Sequence, residues 1–186
     1  MTLKEAKDKV YMLLDEHSAG GEVEHDEDIE LKMTRFFDMA QKEVSKIKKI
    51  LKAKKITADA GRTEYSMPGD FRQLYRIWKD EKPATNRYRW RGGKLLIPEQ
   101  DAGSLITVEY FAEPETIPEE AADDYEFELS EDACGCLPFY VAAQQLLPDL
   151  VMDYGGMWQM YREAVATLDT RIPGENARLT QSLYRG

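Results

Sequence analysis

The sequence has few of the residues that form covalent, metal or catalytic sites. Cysteine occurs twice, as Cys134 and Cys136, and histidine twice, as His17 and His25. The cysteines are one residue apart, so a disulfide between them would close only a very small strained ring. With the two distant histidines they also lack zinc-site spacing, and no serine or cysteine lies in a recognisable nucleophile motif. We therefore predict reduced thiols, no metal, no cofactor and no enzymatic activity.

Long apolar runs are also missing. No stretch approaches the roughly 20 apolar residues needed to span a bilayer, and residues 1–16 lack the basic start and apolar run of a signal peptide. Hydrophobic residues still make up 42% of the chain and charged residues 32%, which suits a packed core and is too much charge for a membrane protein. We expect a globular protein that is made in the cytoplasm and does not enter a membrane.

Charge is distributed unevenly along the chain. The 35 acidic and 25 basic residues give a formal net charge of −10, and residues 113–132 hold ten acidic side chains and no basic one. Residues 32–55, in contrast, hold nine basic and two acidic side chains. Blocks of opposite sign favour complementary contacts, within the chain or between copies, and the alternative is that each block is a solvated face.

Two amphipathic helices are predicted at the N-terminus. Thr2 and Glu5 have the spacing of a capping box for a first helix over about residues 3–16. Apolar residues then recur at helical spacing from Ile29 to Leu51, and the last two turns of this second helix are predicted to carry a lysine cluster as far as Lys55. Cations suit the negative end of a helix, and they could also meet phosphate or an acidic neighbour.

A β pattern follows between residues 56 and 112. The runs at 63–67 and 88–91 alternate, and those at 71–79, 94–97 and 104–112 are rich in apolar and β-favouring residues, so four or five antiparallel strands are predicted, with a Gly92-Gly93 hairpin turn. In the run Arg87–Arg91, two aromatic side chains alternate with three arginines, which is typical of a surface that stacks bases and binds phosphate. The alternative is simple strand alternation, with the aromatic side chains inside and the arginines outside.

Helical patterns return after the acidic segment, over residues 131–147 and 149–171. The fold class predicted is α+β: a helical bundle of two N-terminal and two C-terminal helices with an inserted antiparallel β module of four or five strands. The predicted parts are residues 1–55 (N-terminal helices), 56–112 (β module), 113–129 (acidic linker), 130–172 (C-terminal helices) and 173–186 (flexible C-terminal tail).

Five segments occur in an order that is familiar from one protein family. A helical segment at 29–41 leads into Thr63-Glu64-Tyr65-Ser66-Met67-Pro68-Gly69-Asp70-Phe71, then Tyr88-Arg89-Trp90 with Leu96-Ile97-Pro98, the strand Val108-Glu109-Tyr110-Phe111-Ala112-Glu113-Pro114, and the helix Leu137-Pro138-Phe139-Tyr140-Val141-Ala142-Ala143. This order, over roughly residues 29–168, resembles the head-to-tail adaptor (head-completion or connector) proteins of tailed bacteriophages. Gly69, where the family often has an acid, and Gly155-Gly156, within a helix usually continuous, depart from the pattern.

The resemblance implies a non-enzymatic structural protein of the virion. Such proteins commonly form a twelve-fold ring that binds the portal protein above and a stopper or tail-completion protein below. Double-stranded DNA passes through the centre without sequence-specific binding. The implied location is the head–tail interface, and the host cytoplasm before assembly. The alternative function is a non-enzymatic binding module that uses the β insertion to bind a peptide or nucleic acid.

Candidate assembly contacts follow from the charge blocks and the C-terminal tail. Lysines of the second helix are expected to pair with acids of a neighbouring copy or of the portal; the candidates are Lys46, Lys48, Lys49 and Lys52 with Glu119, Glu120, Asp123 and Asp124. In the tail, Leu179, Leu183 and Tyr184 have the spacing of apolar anchors on a polar segment, which favours folding against a partner. The alternative is a frayed chain terminus without a binding role.

Overall fold

The computed structural model of the chain describes residues 1–17, 27–146 and 154–171. The protein is α+β, with two antiparallel sheets of four and three strands in this part of the chain. Its contacts divide it into two compact units. The β unit comprises residues 50–113, and the helical unit comprises residues 1–49 and the described residues from Pro114 onward. No helix in these ranges combines the length and hydropathy that a bilayer crossing requires.

The helical unit is organised around one central helix. The helices within the described residues are α1 (Leu3–His17), α2 (Glu27–Ile47), α3 (Glu131–Cys134), α4 (Leu137–Leu146) and α5 (Tyr154–Ala166). Helix α4 contacts α1, α2 and α5. The side chains of Leu3, Phe37, Leu137 and Met157 are fully buried, so each of these helices contributes to the core. The bundle arrangement itself stays a prediction.

The start of α1 confirms the predicted capping box. The backbone N–H of Thr2 donates to Glu5 Oε2 over 2.9 Å, and the backbone N–H of Glu5 donates to Thr2 Oγ1 over 3.2 Å. Two backbone donors that a helix start leaves without intrahelical partners are therefore satisfied. Apolar residues one turn apart, such as Ala6 and Val10, are fully buried along one face.

The predicted extension of the second helix to Lys55 is wrong. Helix α2 ends at Ile47, and residues 50–57 form a β-strand that pairs along its whole length with residues 105–112. Lysine and alanine in this segment favour a helix locally, but pairing with a distant strand overrides such a weak preference. The β unit therefore begins at Ile50, before the lysines at 52, 54 and 55.

The β unit consists of two small antiparallel sheets. Its strands are β1 (Ile50–Thr57), β2 (Glu64–Ser66), β3 (Phe71–Lys79), β4 (Lys82–Pro83), β5 (Arg89–Arg91), β6 (Lys94–Leu96) and β7 (Leu105–Ala112), with short 3₁₀ helices at Thr85–Arg87 and Glu99–Asp101. The strand orders are β1-β7-β3-β4 and β2-β6-β5. The described residues thus contain seven strands rather than the predicted four or five, and β1 and the short β4 are the additions.

The core of the β unit is shared by the two sheets. Ile56, Ile77 and Val108 from the four-stranded sheet join Tyr65 and Leu95 from the three-stranded sheet in one buried cluster. Ile56 and Tyr65 lie between exposed residues of their strands, and Val108 lies between two partly buried ones, as expected when two sheets pack face to face. Alternation therefore places most of these side chains in the core, whereas β3, which carries Ile77, has two irregularities in its register with β7.

Two hairpin turns use positive backbone angles. Gly92 (φ 57°) and Gly93 (φ 74°) connect β5 and β6, as predicted from the glycine pair. The turn between β3 and β4 instead uses Asp80 (φ 45°) and Glu81 (φ 67°). Because neither residue is glycine, the sequence gives no signal for this second hairpin.

The C-terminal helices differ from the prediction within the described residues. The helix expected over residues 131–147 is divided into α3 and α4, and Pro138 lies in the first turn of α4, where proline is tolerated. Helix α5 is described from Tyr154 and ends at Ala166, before the predicted end at residue 171, and Gly155 and Gly156 lie within it. Residues 147–153 lie outside the described part of the chain.

Candidate assembly surfaces

The acidic segment, residues 113–132, is attached to the start of α1. The backbone N–H of Leu3 donates to the carbonyl of Tyr125 over 2.8 Å, and that of Lys4 donates to the carbonyl of Asp123 over 3.1 Å. Both donors belong to the first turn of α1 and have no intrahelical acceptor. The segment therefore completes the hydrogen bonding of the helix start.

The same segment is also attached to α2. Asp38 Oδ1 accepts the backbone N–H of Ile117 over 3.0 Å, and Gln41 Nε2 donates to the carbonyl of Glu115 over 2.7 Å. Ile117 and Phe127 are buried. The sequence analysis treated these residues as part of a linker because acidic residues surround them. Ile117 and Phe127 were the local indication that the segment packs against the helices.

The four candidate lysines lie in two different units. Lys46 forms an ion pair with Glu43 on α2, while Lys52 Nζ lies 3.0 Å from Asp70 Oδ2 in the β unit. Lys49 is exposed. The structure therefore does not place the four side chains on one helix end.

Lys48 connects two parts of the helical unit. Its Nζ lies 3.5 Å from Asp132 Oδ2 and also donates to the main-chain carbonyl of Asp169. A hydrogen bond from Ser130 lowers the pKa of Asp132, and the positive charge of Lys48 adds to this effect. One predicted lysine thus contacts the acidic segment within its own chain, at the last residue of that segment.

The four candidate acids are presented at the surface. Glu119 pairs with Arg35 on α2, with 2.9 Å between Oε1 and Nη2, and both side chains are more than half exposed. Such a pair contributes about 0–1 kcal/mol. Glu120, Asp123 and Asp124 are exposed. The candidate tail anchors Leu179, Leu183 and Tyr184 lie outside the described residues.

The two units differ strongly in charge. The β unit, residues 50–113, has 12 basic and nine acidic residues, a formal charge of +3, whereas the rest of the chain has 13 basic and 26 acidic residues, a formal charge of −13. The charge blocks read from the sequence do not show this division, because the lysine block straddles the boundary at residue 50.

The β unit holds a buried carboxylate that the sequence analysis does not single out. Asp101 is fully buried; Lys79 Nζ lies 2.6 Å and Arg87 Nη2 lies 2.7 Å from its Oδ1, and Tyr88 donates to its Oδ2 over 3.1 Å. Burial alone raises the pKa of Asp101, but the hydrogen bonds from Lys79 and Tyr88 and the charge of Arg87 outweigh it and lower the pKa. Burial, followed by the bond to Asp101, raises the pKa of Tyr88 to about 12. The cluster fixes Arg87 and Lys79 beside an open pocket of about 740 Å³ that Lys82 also lines.

The aromatic and arginine run follows strand alternation. Trp90 is opposite the buried Leu95 and stacks on Phe71 with 4.7 Å between ring centroids. Arg89 and Arg91 lie on the opposite face of the strand. Trp90 nevertheless stays 39% exposed at the edge of the three-stranded sheet.

No protein-family model matches the chain, and no curated protein sequence matches it. Within residues 1–17, 27–146 and 154–171, no group of three or more His, Cys, Asp or Glu side chains is arranged to hold a metal ion. Cys134 and Cys136 are buried as free thiols, and burial raises the pKa of both. A function therefore has to be inferred from the acidic segment and the charges of the two units.

Proposed function

We propose that the protein is a structural subunit of the head–tail connector of a tailed bacteriophage. It forms an oligomeric ring, commonly of twelve copies in the family it resembles, under the portal protein. The ring extends the DNA channel and offers a docking surface to a stopper or tail-completion protein. In this proposal the protein is a virion component, and α1, α2, α4 and α5 form the bundle that carries the assembly surface.

The observation that carries the proposal is the attachment of the acidic segment to α1 and α2. Because backbone hydrogen bonds at Leu3 and Lys4 hold this segment, the exposed carboxylates of Glu120, Asp123 and Asp124 project from a fixed backbone. A ring repeats such a surface once per subunit, so weak contacts of about 0–1 kcal/mol each add up. A monomeric protein gains little from the same arrangement.

The charge of the helical unit supports a channel role. Double-stranded DNA carries one negative charge per roughly 1.7 Å, so a cationic wall holds its phosphates whereas an acidic wall lets it slide. The formal charge of −13 outside the β unit suits such a wall. Lys46, Lys48, Lys49 and Lys52 stay the candidate cations for contacts with acids of a neighbouring copy or of the portal.

Native mass spectrometry, with and without a portal preparation, tests the connector proposal. A ring, or a complex with the portal, is expected, and the triple variant Glu120→Lys, Asp123→Lys, Asp124→Lys is expected to weaken it at least tenfold at low ionic strength. The matched control reverses three exposed acids of the β unit: Asp59→Lys, Glu81→Lys and Glu99→Lys. The control has the same net charge as the triple variant, so it separates position from overall charge. The proposal is wrong if the protein neither self-associates nor binds the portal, or if both triple variants behave alike.

A second candidate function, a nucleic-acid-binding module, is supported by one cationic sheet face. Arg91 and Lys94 are directly opposite in the β5–β6 ladder, and Arg89 lies on the same face. Fluorescence anisotropy with single-stranded and duplex DNA tests it. If this function is right, Arg89→Glu with Arg91→Glu abolishes binding and the wild-type affinity falls steeply with salt. The connector function alone predicts no stable complex at physiological salt.

A further inference from the structure

Helices α1 and α4 leave an apolar groove on the surface of the helical unit. A pocket of about 290 Å³ is lined by apolar side chains of both helices, including Met12, Leu13, Pro138 and Phe139. Met12 is 62% exposed, the highest exposure among the large hydrophobic side chains of the described residues. An apolar surface of this kind is most stable when another apolar group covers it.

The groove continues into an acidic end. A second pocket of about 490 Å³ shares Lys9 and Gly135 with the first, and its remaining lining includes Glu5, Asp8 and Glu131. The carboxylate of Glu5 accepts the Thr2 N–H of the capping box, which leaves Asp8 and Glu131 exposed at the rim. We call the two pockets together the α1–α4 groove. It combines an apolar floor with a rim on which the three carboxylates of Glu5, Asp8 and Glu131 outnumber the ammonium group of Lys9, so it favours a segment with apolar anchors and basic flanks.

The described chain ends near this groove. Lys48 Nζ contacts both the carboxylate of Asp132 and the main-chain carbonyl of Asp169, so these two residues are neighbours. Asp132 belongs to α3, as does the rim residue Glu131. Residues 172–186 therefore continue from a point close to α3, which contributes Glu131 to the rim of the groove. Fifteen residues reach at most about 50 Å when extended, so the segment is long enough to lie along the groove.

The C-terminal segment has the matching chemistry. Residues 175–186 contain two basic side chains, Arg178 and Arg185, and one acidic side chain, Glu175. Leu179 and Leu183 are four residues apart, a spacing that places both on one face of a helix. We propose that the α1–α4 groove binds the C-terminal segment of its own chain, with these leucines on the apolar floor and the arginines at the acidic rim. This docking takes place within one chain, so it does not depend on ring formation.

Disulfide trapping in the full chain tests the docking. The test variant carries Met12→Cys and Leu183→Cys, and Lys9→Cys is a second groove position with the same expectation. The control carries Met160→Cys and Leu183→Cys, because Met160 is 38% exposed on α5 and lies closer to residue 183 along the chain. The native Cys134 and Cys136 are buried, so they compete little for mild oxidant. Mass spectrometry of unreduced peptides identifies which cysteines have joined.

The expected result is an intramolecular disulfide that forms at least tenfold faster at the groove positions than at position 160. Adding Arg178→Glu and Arg185→Glu to the groove variant is expected to reduce its rate several-fold, as is high salt. Equal rates at positions 12, 9 and 160 overturn the proposal. Disulfides that form only between two chains, seen as a dimer without reductant, also overturn it and identify a second copy as the occupant.

Discussion

Tyr88 donates its hydroxyl hydrogen to the buried carboxylate of Asp101, with 3.1 Å between the two oxygens. The other carboxylate oxygen accepts from Lys79 and Arg87. One acidic side chain thus links the end of β3, the residues that lead into β5, and the turn before β7. Because a buried charge is stable only with its partners, these segments depend on one another.

Replacement of Asp101 by asparagine is expected to lower the free energy of unfolding by about 1–3 kcal/mol. The loss stays below that of a fully buried pair because the side chains of Lys79 and Arg87 are 22% and 47% exposed and can turn to water. Urea unfolding followed by tryptophan fluorescence measures it. The control Glu99→Gln changes an exposed acid of the same 3₁₀ helix and is expected to stay within about 0.5 kcal/mol. Equal losses in both variants contradict the prediction.

Acid is expected to weaken the protein partly through Asp101. Its pKa is lower in the folded protein than the roughly 3.9 of an unfolded chain, so its contribution to stability is present above about pH 4. The contribution is lost as the pH falls through the folded pKa. Thermal unfolding between pH 7 and pH 2 is expected to show a smaller decline in Asp101→Asn than in the wild type. A parallel decline in both proteins shows that Asp101 does not carry this effect.

Alkali is expected to weaken the protein through Tyr88. Its pKa rises from about 10 to about 12 on folding, so its contribution is fully present below about pH 10 and is lost as the pH rises towards 12. Tyr161, on α5, has a similarly raised pKa. The measurement is therefore the free energy of unfolding of the wild type and of Tyr88→Phe at pH 8 and at pH 11. The variant is expected to lose less stability than the wild type between these two pH values. A difference that does not change with pH is evidence against the prediction.

The β unit is expected to be removable without loss of the helices. Ile50 and Ala112 are opposite each other in the β1–β7 ladder, so the ends of the unit are about 5 Å apart. Joining Lys49 to Pro114 through a short Gly-Ser linker is expected to keep the helical far-UV circular dichroism of the helical unit. A deletion of residues 56–112 is the informative comparison, because it leaves most of β1 without its partner and is expected to aggregate. Loss of most helical signal in the first deletion refutes the independence of the helices.

Lys48→Ala is expected to destabilise the helical unit by about 0.5–1.5 kcal/mol, since it removes contacts to Asp132 and Asp169. Its side chain is only 20% exposed, so water does not fully replace these contacts. Thermal unfolding monitored at 222 nm measures the change. Lys32→Ala, at an exposed position of α2, is the control and is expected to have no clear effect. A similar small change in both variants argues against a linking role for Lys48.

Features with local signals were predictable from the sequence. The capping box of Thr2 and Glu5 and the Gly92-Gly93 turn depend on residues a few positions apart, and both are confirmed. The aromatic and β-favouring residues of 71–79 likewise predicted strand β3 with its correct bounds. Propensity and turn chemistry are sufficient for such elements because the deciding contacts lie within the window that is read.

Features decided by distant partners were not predictable. Strand β1 exists because residues 50–57 pair with residues 105–112, and the lysines in it favour helix when read locally. Asp101 looked like an ordinary turn residue, since Lys79 and Arg87 are 22 and 14 positions away. The charge blocks indicated complementary contacts such as the pairing of Lys48 with Asp132. The sequence left open whether these contacts lie within one chain or between two chains.

The pairing of Ile50 with Ala112 also bears on the order of folding. In the unfolded chain, residues 50–113 form a long loop between α2 and the acidic segment, and closing a loop of that length costs about 3–4 kcal/mol in chain entropy. Once β1 and β7 have paired, the same two ends are about one strand spacing apart. The hydrogen bond from Gln41 to Glu115 then closes only a short loop, although the two residues are 74 positions apart in the sequence. We therefore expect early pairing of β1 with β7 to lower the entropic cost of closing a helical unit whose two halves are synthesised far apart.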